Sequence, residues 1–295
     1  LYGTPNFYSN AALCISPKIY SNKYTFGPGI STCGDFLNAK CILLFGTNPA
    51  VTGMHRNLRV MSDILIAKKN GAKLIVVDPR KSETARKADI YTSIRPGTDA
   101  ALILSIIYVI IEEQLYDEPF VEKYTYGFQE VKEAVKSYTP EVAEEITWVK
   151  KETILNIAHV FASSRPACAD RREGIFHHEN ATQTCRAINI LNAITGNIDK
   201  LGGILLQKNL FGADHPLYNK LTMDDARSPE VAGVTTNPFT KNVPTDLIRA
   251  ILDEKPYPVK ALIVVGCNPL ISWPNTTRVL QALEKLEFLV VIDVY

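Results

Sequence analysis

No two of the six cysteines, Cys14, Cys33, Cys41, Cys168, Cys185 and Cys267, stand in a C-x-x-C pair. A zinc site or a dense disulfide scaffold needs such spacing, so neither is expected. An excess of charge is missing too: 32 Lys and Arg against 31 Asp and Glu leave a net charge of +1 over 295 residues. Without a strong basic field the chain has no general attraction to nucleic acid or anionic lipid, and nucleic acid is not expected as a partner. Long apolar runs are also absent. The longest, AALILSIIYVII from Ala100 to Ile111, has 12 residues, where a bilayer helix needs about 20. It reads as a buried helix, and no direct membrane insertion is expected. Finally, no strand candidate is followed by G-x-G-x-x-G, which argues against an ordinary NAD-type dehydrogenase.

The composition is otherwise that of a globular protein, with 46% hydrophobic and 21% charged residues. The chain carries one pattern twice. CILLFGTNPAV begins at Cys41 and ALIVVGCNPLI at Ala261, each an apolar run closed by Gly-x-Asn-Pro. Each is followed by a helical segment and a second apolar run that closes on aspartate, in LIVVDPR and in LVVIDVY. Strand, helix and strand at this length predict a βαβ unit.

Between the copies, Thr98-Asp99 marks the start of a long helix, Asp117 to Ser164 reads as helical throughout, and Thr139 with Pro140 marks a helix start. The segment before Cys41 reads as polar and turn-rich, the helix after the first copy as beginning near Met54, and Leu205 to Asn242 as a long loop. The expected fold is α/β, with doubly wound, mainly parallel sheets, helices on both faces and two pseudo-repeated dinucleotide-binding-like units. The first domain is expected over residues 1–204, with a linker and a partial second domain over 205–295. The chain starts at Leu1 without Met and stops on an apolar run, so it reads as a piece of something longer.

Ligands of doubly wound sheets bind beyond the carboxyl ends of the strands. Gly46 and Gly266 stand at those ends, where a residue without Cβ lets the backbone approach a pyrophosphate, while Asn tolerates unusual dihedrals and Pro fixes the exit. Asp78 and Asp293 follow the next strands, where such folds grip a ribose or base. Gly-x-Asn-Pro alone is also an ordinary strand-ending turn; its recurrence in the same context favours two nucleotide sites. Arg171-Arg172 could hold phosphate or be solvated, and Arg95 could pair with Asp99 or a ligand.

LYGTPNFYSNAALC, FGTNPA, VVDPRKSETARKADIYTSIRPGTDAAL, HHENATQTCRAINILNAITGNIDKLGG and VVGCNPL, in this order, resemble the catalytic subunits of the molybdopterin oxidoreductases of the dimethyl sulfoxide reductase class. The resemblance implies molybdenum or tungsten held by two molybdopterin guanine dinucleotides, one for each copy of the repeated pattern. It places Gly46, Thr47 and Asn48 at the phosphates of one dinucleotide, and Asp78, Pro79 and Arg80 at its ribose and phosphate. Gly97, Thr98 and Asp99 fall to its guanine, whose ring N–H and exocyclic amine suit two carboxylate oxygens. Glu173, Gly174 and His177 fall near a pterin, and Asn268 and Asp293 serve the second dinucleotide. Cys14, with Asn10 before it, occupies the position of the metal ligand, and a thiolate is a soft donor suited to such a metal. The other five cysteines are expected to be structural.

Members of this family commonly carry an amino-terminal cysteine cluster for an iron–sulfur centre. No such cluster is written here, so it is expected only upstream. The resemblance also implies a small-molecule substrate and an iron–sulfur electron-transfer subunit as partner, and leaves the compartment open between cytoplasm and periplasm. Cys14 is followed by Ile15-Ser16-Pro17 rather than by the His usual in formate dehydrogenases of the class. That points away from formate, towards redox or oxygen- or sulfur-atom transfer on another small compound, with hydration at the same cofactor as an alternative. A structural subunit of the same fold, like the large iron–sulfur subunit of respiratory complex I, is a further alternative that would need neither Cys14 nor Asp99.

Overall fold

A computed structural model describes residues 6, 8–52, 59–208, 244–255 and 257–294. It divides the chain into two compact units, Ile15–Asn209, and Leu1–Cys14 together with Leu210–Tyr295. The larger unit is built on four parallel strands, β2 (Cys41–Phe45), β3 (Lys73–Val77), β4 (Ile90–Thr92) and β5 (Ala167–Arg171), in the order β4-β3-β2-β5. In register, Cys41 lies opposite Lys73 and Ala167, and Phe45 opposite Val77 and Arg171.

β2 contains no charged residue, and all five of its residues are buried. That is the signature of a parallel strand covered on both faces. Alternation then sorts the side chains. Cys41, Leu43, Phe45, Ile75 and Val77 enter a core shared with α4 (Asp99–Glu112), α8 (Lys151–Ser163) and α10 (Ala181–Ile194). Ile42, Leu44, Leu74 and Val76 enter a second core with α3 (Val60–Lys69). Each fully buried Leu or Ile contributes about 1.5–3 kcal/mol relative to exposure, so the doubly covered sheet is the rigid frame on which the strand ends are held.

Three expectations change. The turn-rich opening contains α1 (Ser16–Phe26), started by Pro17 in its first turn, and β1 (Ile30–Gly34). The stretch expected as a loop from Leu205 starts as a strand, because β6 (Ile204–Lys208) pairs antiparallel with β1, Gly34 opposite Ile204. Its remainder, 209–243, lies outside the described residues, as do 53–58 at the start of the helix expected from Met54, whose described part is α3. The stretch from Asp117 is helical in four pieces, α5 (Glu118–Tyr124), α6 (Phe128–Val135), α7 (Pro140–Thr147) and α8. Thr139 caps α7 by accepting from the Val142 N–H, as expected.

The smaller unit pairs β7 (Ala261–Val265) parallel with β8 (Phe288–Ile292), Ala261 opposite Phe288. Its helices are α11 (Pro244–Asp253), α12 (Pro269–Ser272) and α13 (Thr276–Lys285). Leu247, Ile251, Val279 and Ala282 form its core, against which Tyr8 packs. Among the described residues no helix is long and apolar enough to cross a membrane.

Candidate functional site

The two copies of the repeated turn are built alike, bond for bond. Gly46 follows β2 with φ +52°, and its N–H donates to Val77 O, the last residue of β3, at 3.0 Å. Gly266 follows β7 with φ +56°, and its N–H donates to Ile292 O, the last residue of β8, at 2.9 Å. Positive φ is the reason for glycine at both places. Asn48 O accepts from Val51 N at 3.0 Å and Thr52 N at 3.1 Å, both of α2 (Pro49–Thr52), and Asn268 O from Ile271 N at 3.1 Å and Ser272 N at 3.0 Å. Hydroxyls at equivalent positions, Thr52 and Ser272, donate to the same carbonyls.

The asparagine side chains differ. Asn48 Oδ1 accepts from the Thr84 N–H at 3.1 Å and hydroxyl at 2.8 Å, and its Nδ2 donates to Glu83 at 2.7 Å. Asn48 therefore anchors the turn to the 83–84 loop. Asn268 Oδ1 instead accepts from Leu270 N at 3.1 Å and caps its own short helix.

In the larger unit a hollow of about 130 Å³ lies beyond the strand ends, lined by Gly46, Asp78, Pro79, Asp99, Gly174 and His178, with Ile94 and Pro96. Its floor is two glycines in contact. Gly174 N donates to Gly46 O at 3.0 Å, and a Cβ on Gly46 would sit 2.7 Å from Gly174 Cα. Asp99, the first residue of α4, is buried. Burial pushes its carboxyl up to about 6; the neighbouring His178 opposes that and Asp78 adds to it. Asp78 is also raised, by partial burial, although its Oδ1 accepts from the Arg80 N–H at 2.8 Å. Two carboxyls thus face one hollow, a donor-seeking surface suited to a ligand bearing N–H groups. Next to Gly46, the Thr47 hydroxyl is buried and has no hydrogen-bond partner among the described residues, a state that costs free energy unless a ligand supplies one.

Of the other residues singled out by the sequence, Arg80 follows the lining residue Pro79 but does not itself line the hollow, and its guanidinium lies 3.5 Å from Glu83. Gly97 has φ +81° and approaches His178, and Thr98 Oγ1 donates to Arg95 O at 2.7 Å, closing the turn into α4. Arg95 lies over the Trp148 ring, 5.4 Å from its centroid. Glu173 opens α9 (Glu173–Phe176), a short helix after β5. His177 is exposed and does not line the hollow; the lining imidazole is its neighbour His178, the second residue of HHENATQT. In the smaller unit Asn268 and Asp293 line a second hollow of about 480 Å³ with Cys267 and Leu270. Cys14 closes a 3-10 turn over Asn10–Leu13, its N–H donating to Ala11 O at 3.3 Å, and its thiol is partly exposed. Ser9 Oγ accepts from Ala11 N at 3.3 Å and caps that turn.

A doubled strand, Gly-x-Asn-Pro turn, helix and strand, each copy ending on aspartate, defines an α/β protein with two equivalent strand-end crevices. The family model for molybdopterin oxidoreductases matches residues 5–295, and the chain belongs to the molybdopterin oxidoreductase family. It is 34% identical to the F420-dependent formate dehydrogenase subunit alpha of Methanocaldococcus jannaschii, over 99% of this chain and 44% of that protein. It is 30% identical to the thiosulfate reductase molybdopterin-containing subunit of Salmonella typhimurium, over 100% of this chain and 40% of that one. The solved structure of acetylene hydratase from Pelobacter acetylenicus superimposes with a TM-score of 0.82 at 31% identity, over 99% of this chain and 43% of that one. The chain thus spans less than half the length of these relatives.

Proposed function

We propose that this chain is the cofactor-binding part of the catalytic subunit of a molybdenum or tungsten enzyme that holds two molybdopterin guanine dinucleotides. The whole protein would carry out a two-electron redox reaction, or transfer of an oxygen or sulfur atom, on a small molecule. The observation that carries this reading is the bond-for-bond duplication of the Gly46 and Gly266 turns. The residues present fit the group. Gly46 and Gly174 leave no room for a Cβ where a ligand would approach the backbone, the buried Thr47 hydroxyl is unpartnered among the described residues, and Asp99 offers two acceptor oxygens.

On this reading Gly46 and Thr47, in the turn fixed by Asn48, hold the phosphates of one dinucleotide. Asp78, Pro79 and Arg80 hold its ribose and phosphate, and Gly97, Thr98 and Asp99 its guanine. Glu173, Gly174 and His177 border a pterin, and Asn268 and Asp293 serve the second dinucleotide. Cys14, presented on the turn that starts at Asn10, supplies a thiolate to the metal, and coordination keeps that thiolate deprotonated. When bound, the metal centre supplies the two-electron change; the chain supplies the ligand, the orientation and the exclusion of water.

Two of the relatives are named as subunits, which supports a partner subunit, and an iron–sulfur electron-transfer subunit would suit a two-electron reaction. A second reading, hydration at the same cofactor, is favoured by the likeness to acetylene hydratase. Metal content of purified protein tests the Cys14 assignment. Cys14→Ala should retain its fold by circular dichroism and lose most of the metal, while Cys14→Ser retains more. Full metal occupancy in Cys14→Ala would remove Cys14 from the ligand set.

A further inference from the structure

Behind the strand-end hollow of the larger unit the protein buries a cluster of charge that the cofactor assignment leaves unused. Lys18 on α1 is 4% exposed, Asp170 on β5 is 2% exposed and Arg171 is fully buried. Lys18 Nζ lies 3.6 Å from Asp170 Oδ1, and Arg171 Nη1 lies 3.9 Å from the same oxygen. Both are longer than the 2.7–2.9 Å or so of a good charge-assisted hydrogen bond. Arg171 Nη2 donates to Ser21 Oγ at 3.3 Å and the Cys185 thiol lies beside the guanidinium, yet among the described residues its Nε and Nη1 have no hydrogen-bond partner, and the buried Nε of Arg172 has none either. Arg171 cannot be a solvated arginine, one of the two roles its sequence left open.

The charges do not cancel. Lys18, Arg171 and Arg172 all act on Asp170, and this is enough to hold its carboxyl low despite burial. The reverse does not hold: burial pulls Lys18 down to about 8 although Asp170 opposes it. Among the described groups that act on Lys18 and Asp170, three cations face one carboxylate, and counting Glu173, the next carboxylate along the chain, still leaves the cations in excess. Buried guanidinium N–H groups without acceptors are rare because each forfeits its hydration. A planar guanidinium fork is the group best matched to the paired oxygens of an oxyanion. The cluster also stands at the carboxyl end of a parallel strand. Arg172 N donates to Phe45 O, one residue before Gly46, and Gly174 follows two residues later on the floor of the hollow.

We propose that Lys18, Arg171 and Arg172 form an oxyanion site at the carboxyl end of β5. Arg172, the partly exposed member, meets the ligand, and Lys18, Asp170 and Arg171 set the field behind it. The ligand chemistry is a compact tetrahedral oxyanion of one or two negative charges. Its source is either a phosphate of the bound cofactor or a free small anion acting as substrate. The cluster alone carries this site, without the metal assignment.

Thermal unfolding of the full chain in potassium sulfate against potassium chloride of equal ionic strength tests it. Sulfate at about 100 times its Kd should raise the Tm of cofactor-free protein by roughly 5 °C, with no equal effect of chloride. Arg172→Gln and Lys18→Met should each weaken the response about tenfold in sulfate concentration. Arg172→Gln lies at the partly exposed edge, so it keeps the test open should Lys18→Met fail to fold. If cofactor-loaded protein no longer responds, the cofactor's phosphate fills the site; if it still responds, the anion is a free one. Equal responses to sulfate and chloride, or a sulfate response unchanged in Arg172→Gln, would overturn the proposal.

Discussion

Glycine at position 46 is required twice over. The residue takes φ +52°, which side chains disfavour, and its Cα is in contact with Gly174. A Cβ on Gly174 would lie 2.6 Å from Gly46 Cα and 2.8 Å from its O, nearer than backbone can tolerate. Gly174→Ala is therefore expected to push the two strand ends apart, lowering stability by about 1–3 kcal/mol and abolishing retention of the organic cofactor. Urea unfolding and cofactor release from the purified variant check both. A second residue-scale effect comes from Asp99, raised to about 6 by burial. Burial favours the neutral acid, so this carboxyl makes the ligand-free fold less stable as pH climbs from its ordinary value through about 6. A guanine that donates to the carboxylate has the opposite dependence. Guanosine monophosphate should bind the cofactor-free chain more tightly as pH rises through that window, on the order of tenfold per unit below it, and Asp99→Asn should flatten the profile. Calorimetric titrations that gave a flat wild-type profile would remove Asp99 from base recognition.

At the scale of elements, β5 is the outer strand of its sheet on one side, and side chains take the place of a further strand. Asn192 on α10 accepts from Ala169 N at 3.0 Å and donates to Ala169 O at 2.9 Å. Asn197, just beyond that helix, accepts from Ala167 N at 2.9 Å. Both asparagines are fully buried. Asn192→Leu keeps the bulk but strands one backbone N–H and one C=O in the core, so a loss of about 2–5 kcal/mol is expected from urea midpoints. A change of only a few tenths would mean that the strand edge is satisfied otherwise.

Much of this level was legible in the chain. Uninterrupted apolar runs such as CILLF marked the parallel strands, and Thr98-Asp99 and Thr139-Pro140 marked helix starts. What was not legible has physical reasons. β1 and β6 form a ladder between segments that are far apart in sequence, which no local period announces. α1 inverts the usual pattern, burying Lys18, Ser21 and Asn22, so a period of apolar residues could not reveal it. The asparagines that close β5 sit among helix residues and read as ordinary polar positions. Of the site, Gly46, Asp78, Pro79, Asp99 and Gly174 were named from sequence and line one hollow, whereas His178 was overshadowed by His177.

For the molecule as a whole, the informative fact is the duplication. The two crevices share the glycine conformation, the bond to the neighbouring strand and an asparagine carbonyl that accepts two N–H groups of the following helix, yet they are finished differently. At Gly46 the approach is closed by Gly174; at Gly266, among the described residues, no atom stands within 4 Å of the place a Cβ would take. Two similar crevices with unlike surroundings suit two copies of one ligand held in different roles, as the two dinucleotides of a single metal centre would be. The most direct measurement is therefore the number of guanine dinucleotides released per metal ion from protein made in cells competent for cofactor synthesis. Two guanine dinucleotides per metal ion are expected. A ratio of one, or a folded protein that carries neither metal nor dinucleotide, would contradict that.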